Sequence, residues 1–346
     1  MEKDGNFFKL HNRLEMIDII DNILISDNIT SGDRLCVKNG KIGNNIKIEY
    51  KIGSSSENGE VYKIKLNGKN SSFDLALKTI PIVLESDLKL KFNIKTLLDQ
   101  DSSLSEIVMH LLSNACVLSG LTCNLPFIYK FLLCDNCVYS NKNLSVQSGD
   151  DNCIYLLSEL ANLDLKQFLK INTFWTAEFT NCFLFQVINA LYCLKKIFNI
   201  SHNDLHSGNI LIYKIKPGGY FKYTIDDNVY YIPNIGYLFV LWDFGSISSP
   251  SKIFNGETEK ELSKFYTDIA NIASIVKTEV KIQKGSIIDK IISSDHILSL
   301  KDQVKLFKNV FGKSTTSDNV KLEFNMNISL KSFKQSLPIE LEKFVN

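Results

Sequence analysis

The sequence predicts an α+β fold, and three observations carry that prediction. Residues 46–66 follow the pattern strand, glycine-containing loop, strand, and alternating apolar residues predict a further strand that ends near Lys78. The segment Glu178–Phe198 is apolar nearly all round, which is typical of a buried central helix. Two polar motifs follow, and each lies beside a short apolar run of the kind that forms strands.

Composition limits the class of protein. The chain has 346 residues, of which 45% are hydrophobic and 22% charged, which is ordinary for a globular protein and enough for one two-lobed domain or two small domains. The formal net charge of +1 gives no strong field for nucleic acid, so no nucleic-acid partner is expected. No apolar run resembles a signal peptide or approaches a bilayer span. The expected protein is soluble and cytoplasmic, without a transmembrane segment.

Segments outside the motifs carry less chemistry. Residues 1–45 are predicted to be an N-terminal helical extension, in which 27–45 form an irregular connection. The segment 139–152 is predicted to be a polar loop, and the turns within 216–236 predict an extra hairpin of undefined role. Helical spacing predicts an amphipathic helix over Asn6–Ser26 that packs on the domain through Phe7, Leu10, Leu14, Ile17, Ile20 and Leu24.

The two polar motifs carry the chemistry. Ser201–Ile212 has the form H-x-D-x-x-x-x-N, in which Asp204 can orient a substrate hydroxyl and take up its proton. Asn209 follows where a loop can turn its amide oxygen toward a metal ion. Asp243, in the text Leu-Trp-Asp-Phe-Gly, supplies a hard carboxylate suited to Mg²⁺ on ATP phosphates.

These motifs, in this order, resemble the catalytic loop and the metal-binding turn of the eukaryotic-type protein-kinase superfamily, and the resemblance covers residues 46 to about 280. The text His202–Asn209, the absence of an A-P-E triplet and the extra hairpin before Asp243 are most similar to the divergent Ser/Thr protein kinases of large DNA viruses, of the poxvirus, iridovirus and mimivirus type. The resemblance implies a two-lobed protein-kinase-like fold. A small antiparallel N-lobe sheet with one main helix would span about 46–158, and a mainly helical C-lobe about 159–346.

The resemblance also implies the nucleotide-binding residues. Gly53 and Gly59 match the outer glycines of the phosphate-covering loop, although the middle glycine is missing and the pair lies one residue further apart. Val61 is expected to pack over the adenine. Ala76 is expected to leave room for the adenine, and Lys78, in the text Leu-Ala-Leu-Lys, to point at the α- and β-phosphates.

An inward lysine needs a carboxylate partner on the next helix. Glu106, near the start of a clear helical pattern, is the predicted partner of Lys78, and Glu85 is the alternative. The apolar strand Cys153–Ala161 resembles the kinase hinge.

The hinge resemblance implies further contacts. Glu159 and Ala161 are expected to bind the adenine through backbone groups, and Leu211, after the catalytic loop, is a further expected cofactor contact. Asp164 is expected to cap the helix that follows, and Asp268 to brace the catalytic loop from beneath.

Two departures from the kinase pattern affect regulation and rate. Asn203 replaces the arginine that in many kinases reads a phosphate on the activation segment, so activity is predicted not to require phosphorylation of Ser246, Ser248 or Ser249. His206 replaces the lysine that usually steadies the transferring phosphate, and a neutral imidazole is a poorer charge partner.

The resemblance implies ATP- and Mg²⁺-dependent phosphoryl transfer to Ser/Thr hydroxyls of protein substrates that the sequence does not identify. Asp204 would be the base, and Asn209 and Asp243 would hold the metal. Small-molecule kinases of the aminoglycoside or choline phosphotransferase type share the text H-x-D-L-H-x-G-N and are the alternative, although the Phe-Gly after Asp243 argues against them. A nucleotide-binding pseudokinase is a further alternative, favoured only by the imperfect glycine loop.

Overall fold

The computed structural model describes residues 10–27, 37–38, 40–56, 59–68, 72–82, 102–134, 138–140, 146–148, 153–198, 200–225, 228–247, 259–284 and 322–328. The class is mixed α+β, as predicted. The chain divides into two units. The sheet unit contains Leu10–Leu111 and Phe127–Leu160, and the helical unit contains Leu112–Pro126 and the chain from Ala161 onward. The predicted domain boundaries and two-lobed arrangement stay predictions.

The sheet unit is built on seven strands in the order β1-β2-β3-β4-β5-β9-β6, with every neighbouring pair antiparallel. A separate hairpin, β7–β8, pairs antiparallel. The helices are α1 (Leu10–Ser26) and α2 (Ser102–Leu118). The strands are β1 (Val37–Lys38), β2 (Lys41–Ile42), β3 (Ile46–Ser56), β4 (Gly59–Asn67), β5 (Ser72–Pro81), β6 (Ile128–Cys134), β7 (Val138–Ser140), β8 (Val146–Ser148) and β9 (Cys153–Glu159).

The centre of this sheet follows from its sequence, whereas its short strands do not. Leu75–Ile80 of β5 are all buried, so both faces of this strand are covered. The strands β1 and β2 lie within the connection 27–45, and β8 and all but the first residue of β7 lie within the loop 139–152, so the two irregular segments were predicted incompletely. Strands of two or three residues are held by main-chain hydrogen bonds and need no apolar alternation, which is why the sequence pattern did not indicate them.

Helix α1 buries part of the predicted face. Ile20 and Leu24 are buried as predicted, whereas Leu14 is 43% exposed and Arg13, which was not predicted to be buried, is 1% exposed. The side chains of Phe7 and Leu10 lie outside the described residues. The buried side chains recur at spacings of three and four residues, as a helix face requires. They are Arg13, Met16, Ile20, Ile23 and Leu24.

The helical unit carries more strands than a mainly helical lobe suggests. Its sheets are β10-β12-β15, the pair β11-β16, and β14-β13-β17. The helices are α3 (Leu165–Ile171), α4 (Ala177–Phe198) and α5 (Glu259–Glu279). The strands are β10 (Leu163–Asp164), β11 (Phe174–Trp175), β12 (Ile210–Lys214), β13 (Tyr220–Ile225), β14 (Asn228–Pro233), β15 (Tyr237–Leu241), β16 (Lys281–Ile282) and β17 (Leu322–Ile328).

The predicted central helix and extra hairpin are both present. Helix α4 is buried on nearly every side from Thr180 to Lys195, as its apolar sequence predicts. The hairpin β13–β14 is extended by β17, which pairs parallel with β13 and was not predicted. A buried hydrogen bond of 2.8 Å from the Tyr223 hydroxyl to Asn124 Oδ1 anchors β13, and Asn124 Nδ2 donates to the Phe239 carbonyl at 2.8 Å.

Across the described part of the chain, none of the helices combines the length and apolar character that crossing a bilayer requires. The cytoplasmic location stays a prediction.

Removing the cap of α3 tests the local fold. Asp164 Oδ1 accepts the Gln167 backbone N–H at 2.6 Å, and the Gln167 side chain accepts the Asp164 N–H at 3.3 Å, so the predicted cap is a full capping box. We expect Asp164→Ala to lower the free energy of unfolding by about 1 kcal/mol, measured by urea denaturation. Lys166→Ala, at an exposed position of the same helix, is the control and should change it little. Equal effects of the two substitutions would contradict the prediction.

Candidate active site

A buried ion pair joins Lys78 of β5 to Glu106 of α2. The two side chains are 2% and 0% exposed. Val61 lies directly opposite Lys78 in the β4–β5 ladder, and Ala76 lies two residues before it, so all three share one face of the sheet. A buried ammonium without a counter-charge would be strongly unfavourable, so Glu106 fixes the position of Lys78. The alternative partner, Glu85, lies outside the described residues.

A buried histidine adjoins the ion pair. His110, one turn after Glu106 on α2, places its Nε2 3.5 Å from Glu106 Oε1, and its side chain is 0% exposed. The His110 imidazole is therefore a buried neighbour of the Glu106 carboxylate.

The two glycines of the predicted loop lie in strands, with Gly53 within β3 and Gly59 at the start of β4. Gly59 has φ 131°, and a Cβ at this position would lie 1.9 Å from the Thr79 carbonyl oxygen, so the close approach of the two strands requires glycine. Gly53 has φ 73°, and the β3–β4 register shifts between Ile52 and Ser56. Both predicted glycines therefore lie at a positive φ, and Gly59 also lies at a close backbone contact.

The segment predicted to bind adenine begins at the end of β9. Glu159 is the last residue of that strand, opposite Leu75 of β5, whereas Ser158 lies opposite Ala76. Alternation along the strand therefore puts the Glu159 side chain on the face opposite to that of Lys78. Leu211, in β12 of the helical unit, is partly exposed and lies opposite Asp164.

The loop that is predicted to be catalytic is braced by Asp268 of α5, as the sequence predicts. Asp268 Oδ2 accepts the backbone N–H groups of His202 at 2.9 Å and Asn203 at 3.2 Å, and His202 Nε2 donates to the Trp242 carbonyl at 2.9 Å. Burial lowers the pKa of the His202 imidazole below its ordinary value. Burial also raises the pKa of the Asp268 carboxyl, while His202 and the backbone N–H groups act in the opposite direction.

Two residues of this site adopt a left-handed backbone conformation that other non-glycine residues in the described part of the chain do not. Asn203 has φ 65° and Asp243 has φ 64°. Asparagine tolerates this region, and Asn203 Nδ2 donates to the Ser246 carbonyl at 3.2 Å. Strain of this kind clusters at functional sites and persists only where the surroundings enforce it, as the Asp268 brace does here.

Hydrogen bonds to main-chain groups hold the segments that carry the two proposed metal ligands. Asn209 Nδ2 donates to the Asp204 carbonyl at 2.9 Å, which leaves Oδ1 as the acceptor end of the amide. The Trp242 N–H donates to the Asn209 carbonyl at 2.9 Å, so the residue before Asp243 is tied to Asn209. An amide oxygen and a carboxylate are hard donors of the kind that Mg²⁺ takes with phosphate and water. Within the described residues, no group of three His, Cys, Asp or Glu could hold a metal by itself.

Asp204 and His206 are the exposed part of the loop. Their side chains are 53% and 54% exposed, and His206 Nε2 lies 4.0 Å from Asp204 Oδ2. The Gly208 N–H donates to His206 Nδ1 at 3.0 Å, so the proton of the neutral ring is on Nε2. A Cβ on Gly208 would lie 2.8 Å from His206 Cε1, so glycine allows this ring position.

Each unit assembles its own predicted residues. The sheet unit brings Val61, Ala76, Lys78 and Glu106 together, and the helical unit places Asp204 and Asn209 on a braced loop followed by Asp243. The functional roles of these residues stay predictions.

The comparisons with known proteins identify kinase-like relatives. The "Probable serine/threonine-protein kinase 380R" of Invertebrate iridescent virus 6 is 28% identical over 239 residues, which cover 66% of this chain and 42% of that protein. The "Putative serine/threonine-protein kinase 019R" of Frog virus 3 (isolate Goorha) is 31% identical over 145 residues, which cover 41% of this chain and 16% of that protein. No protein-family profile matches the chain.

These matches confirm the resemblance to kinases of large DNA viruses, to which the chain is distantly similar. It spans less than half the length of the curated relatives that it matches. The activity, substrates and partners of the whole protein are therefore matters of proposal.

Sequence reasoning missed one buried charge in the sheet unit. Arg13 of α1 donates from Nε to Glu159 Oε1 at 2.7 Å and from Nη2 to Glu159 Oε2 at 3.0 Å. The helical spacing of apolar residues in α1 does not include Arg13, and a polar residue is expected on the solvent side of such a helix. A single sequence carries no signal for a partner 146 residues away.

Replacing Asp268 tests the brace. We expect Asp268→Ala to lower the free energy of unfolding by about 2 kcal/mol or more, because two buried backbone N–H groups lose their acceptor. Asp268→Asn keeps one acceptor oxygen and is the matched control, for which we expect a smaller loss. Urea denaturation of both variants measures the difference, and equal losses would show that the N–H contacts are not what matters.

Proposed function

We propose that this chain transfers the γ-phosphoryl group of ATP to serine or threonine hydroxyls of proteins. The observation that carries the proposal is the buried ammonium of Lys78, held by Glu106 on the sheet face that it shares with Val61 and Ala76. A fixed cation beside a small side chain suits a nucleotide triphosphate, because the charge meets the phosphates and alanine leaves space for a flat base. The viral relatives named as serine/threonine-protein kinases support the same reaction.

The proposed mechanism gives each residue one task. Lys78 binds α- and β-phosphate oxygens, and Asn209 Oδ1 with the Asp243 carboxylate would hold Mg²⁺. That ion, when bound, neutralises developing phosphate charge. Asp204 orients the substrate hydroxyl and accepts its proton while the hydroxyl oxygen bonds to the γ-phosphorus. The bond from the γ-phosphorus to the bridging oxygen breaks, and ADP leaves with that electron pair.

Preorganisation supplies most of the acceleration in such a site. The Asp268 brace and the hydrogen bond from Asn209 to the Asp204 carbonyl fix the loop before substrate arrives. The exposed Asp204 side chain remains accessible to a hydroxyl. His206, with its proton on Nε2, is the candidate donor to the transferring phosphoryl group.

An assay of phosphoryl transfer tests the proposal. The purified chain is incubated with labelled ATP, Mg²⁺ and casein as a mixed substrate, beside Asp204→Asn. We expect label on serine or threonine, and a loss of about 10²-fold or more in the variant, because asparagine cannot accept the proton. Asp18→Asn, which removes an exposed carboxylate of α1, is the control for the change of charge and should retain the rate.

The other outcomes select the alternatives. Transfer to a sugar or an aminoalcohol, with no labelled protein, would replace the proposal with a small-molecule kinase. Nucleotide binding without transfer to any acceptor would indicate a pseudokinase.

Substitutions of His206 test its proposed contact with phosphate. We expect His206→Ala to lower kcat by about 10²-fold, because one hydrogen-bond donor to the developing charge is lost. His206→Lys should exceed the rate of the alanine variant, because an ammonium restores a donor and adds charge. Steady-state kinetics of both variants measures this, and equal rates would rule out the contact.

A further inference from the structure

We propose that Arg13 of helix α1 is a positioning residue for the adenine segment, defined as Glu159–Ala161, and that it sets the preference for adenine over guanine. The inference rests on the proposed function, because it assigns base recognition to that segment. It gives the N-terminal extension a task that the kinase resemblance does not include.

The contact is a two-point clamp. Arg13 Nε lies 2.7 Å from Glu159 Oε1 and Arg13 Nη2 lies 3.0 Å from Glu159 Oε2, so each carboxylate oxygen has its own donor. Paired N–H groups of one guanidinium fix both the distance and the orientation of a carboxylate. The two side chains are each 1% exposed, so solvent screens the interaction little.

The clamp is itself held on several sides. The Arg13 guanidinium lies 5.1 Å from the centroid of the Phe127 ring, and Phe127 packs edge-on against Tyr129 at 5.5 Å. The Tyr129 hydroxyl donates to Glu159 Oε1 at 3.4 Å. The carboxylate of Glu159 is therefore contacted by Arg13 of α1 and by Tyr129 of β6, and Phe127 packs against both of these side chains.

The location of the clamp gives it a consequence for the nucleotide. Glu159 ends β9, and its side chain lies on the sheet face opposite to that of Lys78 and Ala76. Arg13 thus holds Glu159 from the sheet face opposite to Lys78. The Glu159 side chain is not needed for contact with a base. Base selection through backbone N–H and C=O groups depends on their position to a fraction of an ångström, so the clamp acts through the orientation of that backbone.

Stability alone does not account for the pair. A buried ion pair is often no more stabilising than apolar side chains of similar volume, because both charges lose their hydration. Helix α1 is also attached to the sheet by apolar side chains and by a second ion pair, Lys130–Asp21, at 2.5 Å. That second pair is 28% and 38% exposed and supplies a matched control that does not involve Glu159.

Nucleotide binding by variants of the full chain tests the inference. Calorimetric titration with ATP and with GTP, both with Mg²⁺, gives two dissociation constants for each variant. Arg13→Lys keeps the charge but loses the two-point geometry, so we expect ATP to bind about tenfold more weakly and the ATP-to-GTP preference to fall by a similar factor. Lys130→Met should leave both constants unchanged.

A second variant distinguishes a loss of adenine preference from a failure to fold. Arg13→Met combined with Glu159→Met removes both charges and leaves none unpaired, so it should fold and show the same loss of adenine preference. An unchanged preference in the folded variants would overturn the inference, and so would an equal loss of ATP and GTP affinity together with a lower free energy of unfolding, because that combination marks a purely structural role. If the unaltered chain binds neither nucleotide, the proposed function fails and this inference fails with it.

Discussion

The ion pair between Lys78 and Glu106 is the interaction on which the chemistry of the sheet unit depends. The interior of a protein tolerates a full charge only with a partner, so the position of the ammonium is tied to the position of α2. The β4–β5 ladder then determines what lies beside the charge, since Val61 is opposite Lys78 and Ala76 is two residues away on the same face. Packing and strand pairing have therefore already restricted the position of Lys78, as its proposed contact with phosphate requires.

In the helical unit, the partners of a buried charge are backbone N–H groups in place of a second side chain. The buried carboxylate of Asp268 accepts the N–H groups of His202 and Asn203, and these bonds offset the left-handed conformation of Asn203. The His202 ring ties the loop to the carbonyl of Trp242, the residue before Asp243. The loop and the turn that is proposed to bind metal are thus parts of one hydrogen-bonded network, and strain at Asp243 is carried by the same network.

The sequence predicted those features that have a local pattern or a fixed order along the chain. Helix α4 follows from its apolar periodicity, and the cap at Asp164 follows from the residue type and its position. The predicted partner for Lys78 could be chosen because kinase-like motifs fix the order lysine, helix, catalytic loop. Pairing across long separations could not be predicted outside the kinase-like motifs, because nothing else in one sequence marks which strands or charges meet. The parallel pairing of β17 with β13 and the contact of Arg13 with Glu159 are both of this kind.

The face of α1 shows how such a failure arises and what it implies. Apolar periodicity places Leu14 inside and arginine outside. In the structure Leu14 is exposed and Arg13 is buried. Apolar periodicity does not reveal a buried charge that has a specific partner. Removing both charges of such a pair from water costs free energy. The described part of the chain buries several charged side chains, including Glu60, Glu106, Glu159 and Lys195. Three others that break the local rule are Lys78, Asp268 and Arg13, each held by a specific partner. Two of the three belong to positions that the kinase resemblance marks, and the third holds Glu159, another such position. A buried charge outside the recognised motifs is therefore a reason to expect a role in positioning the site.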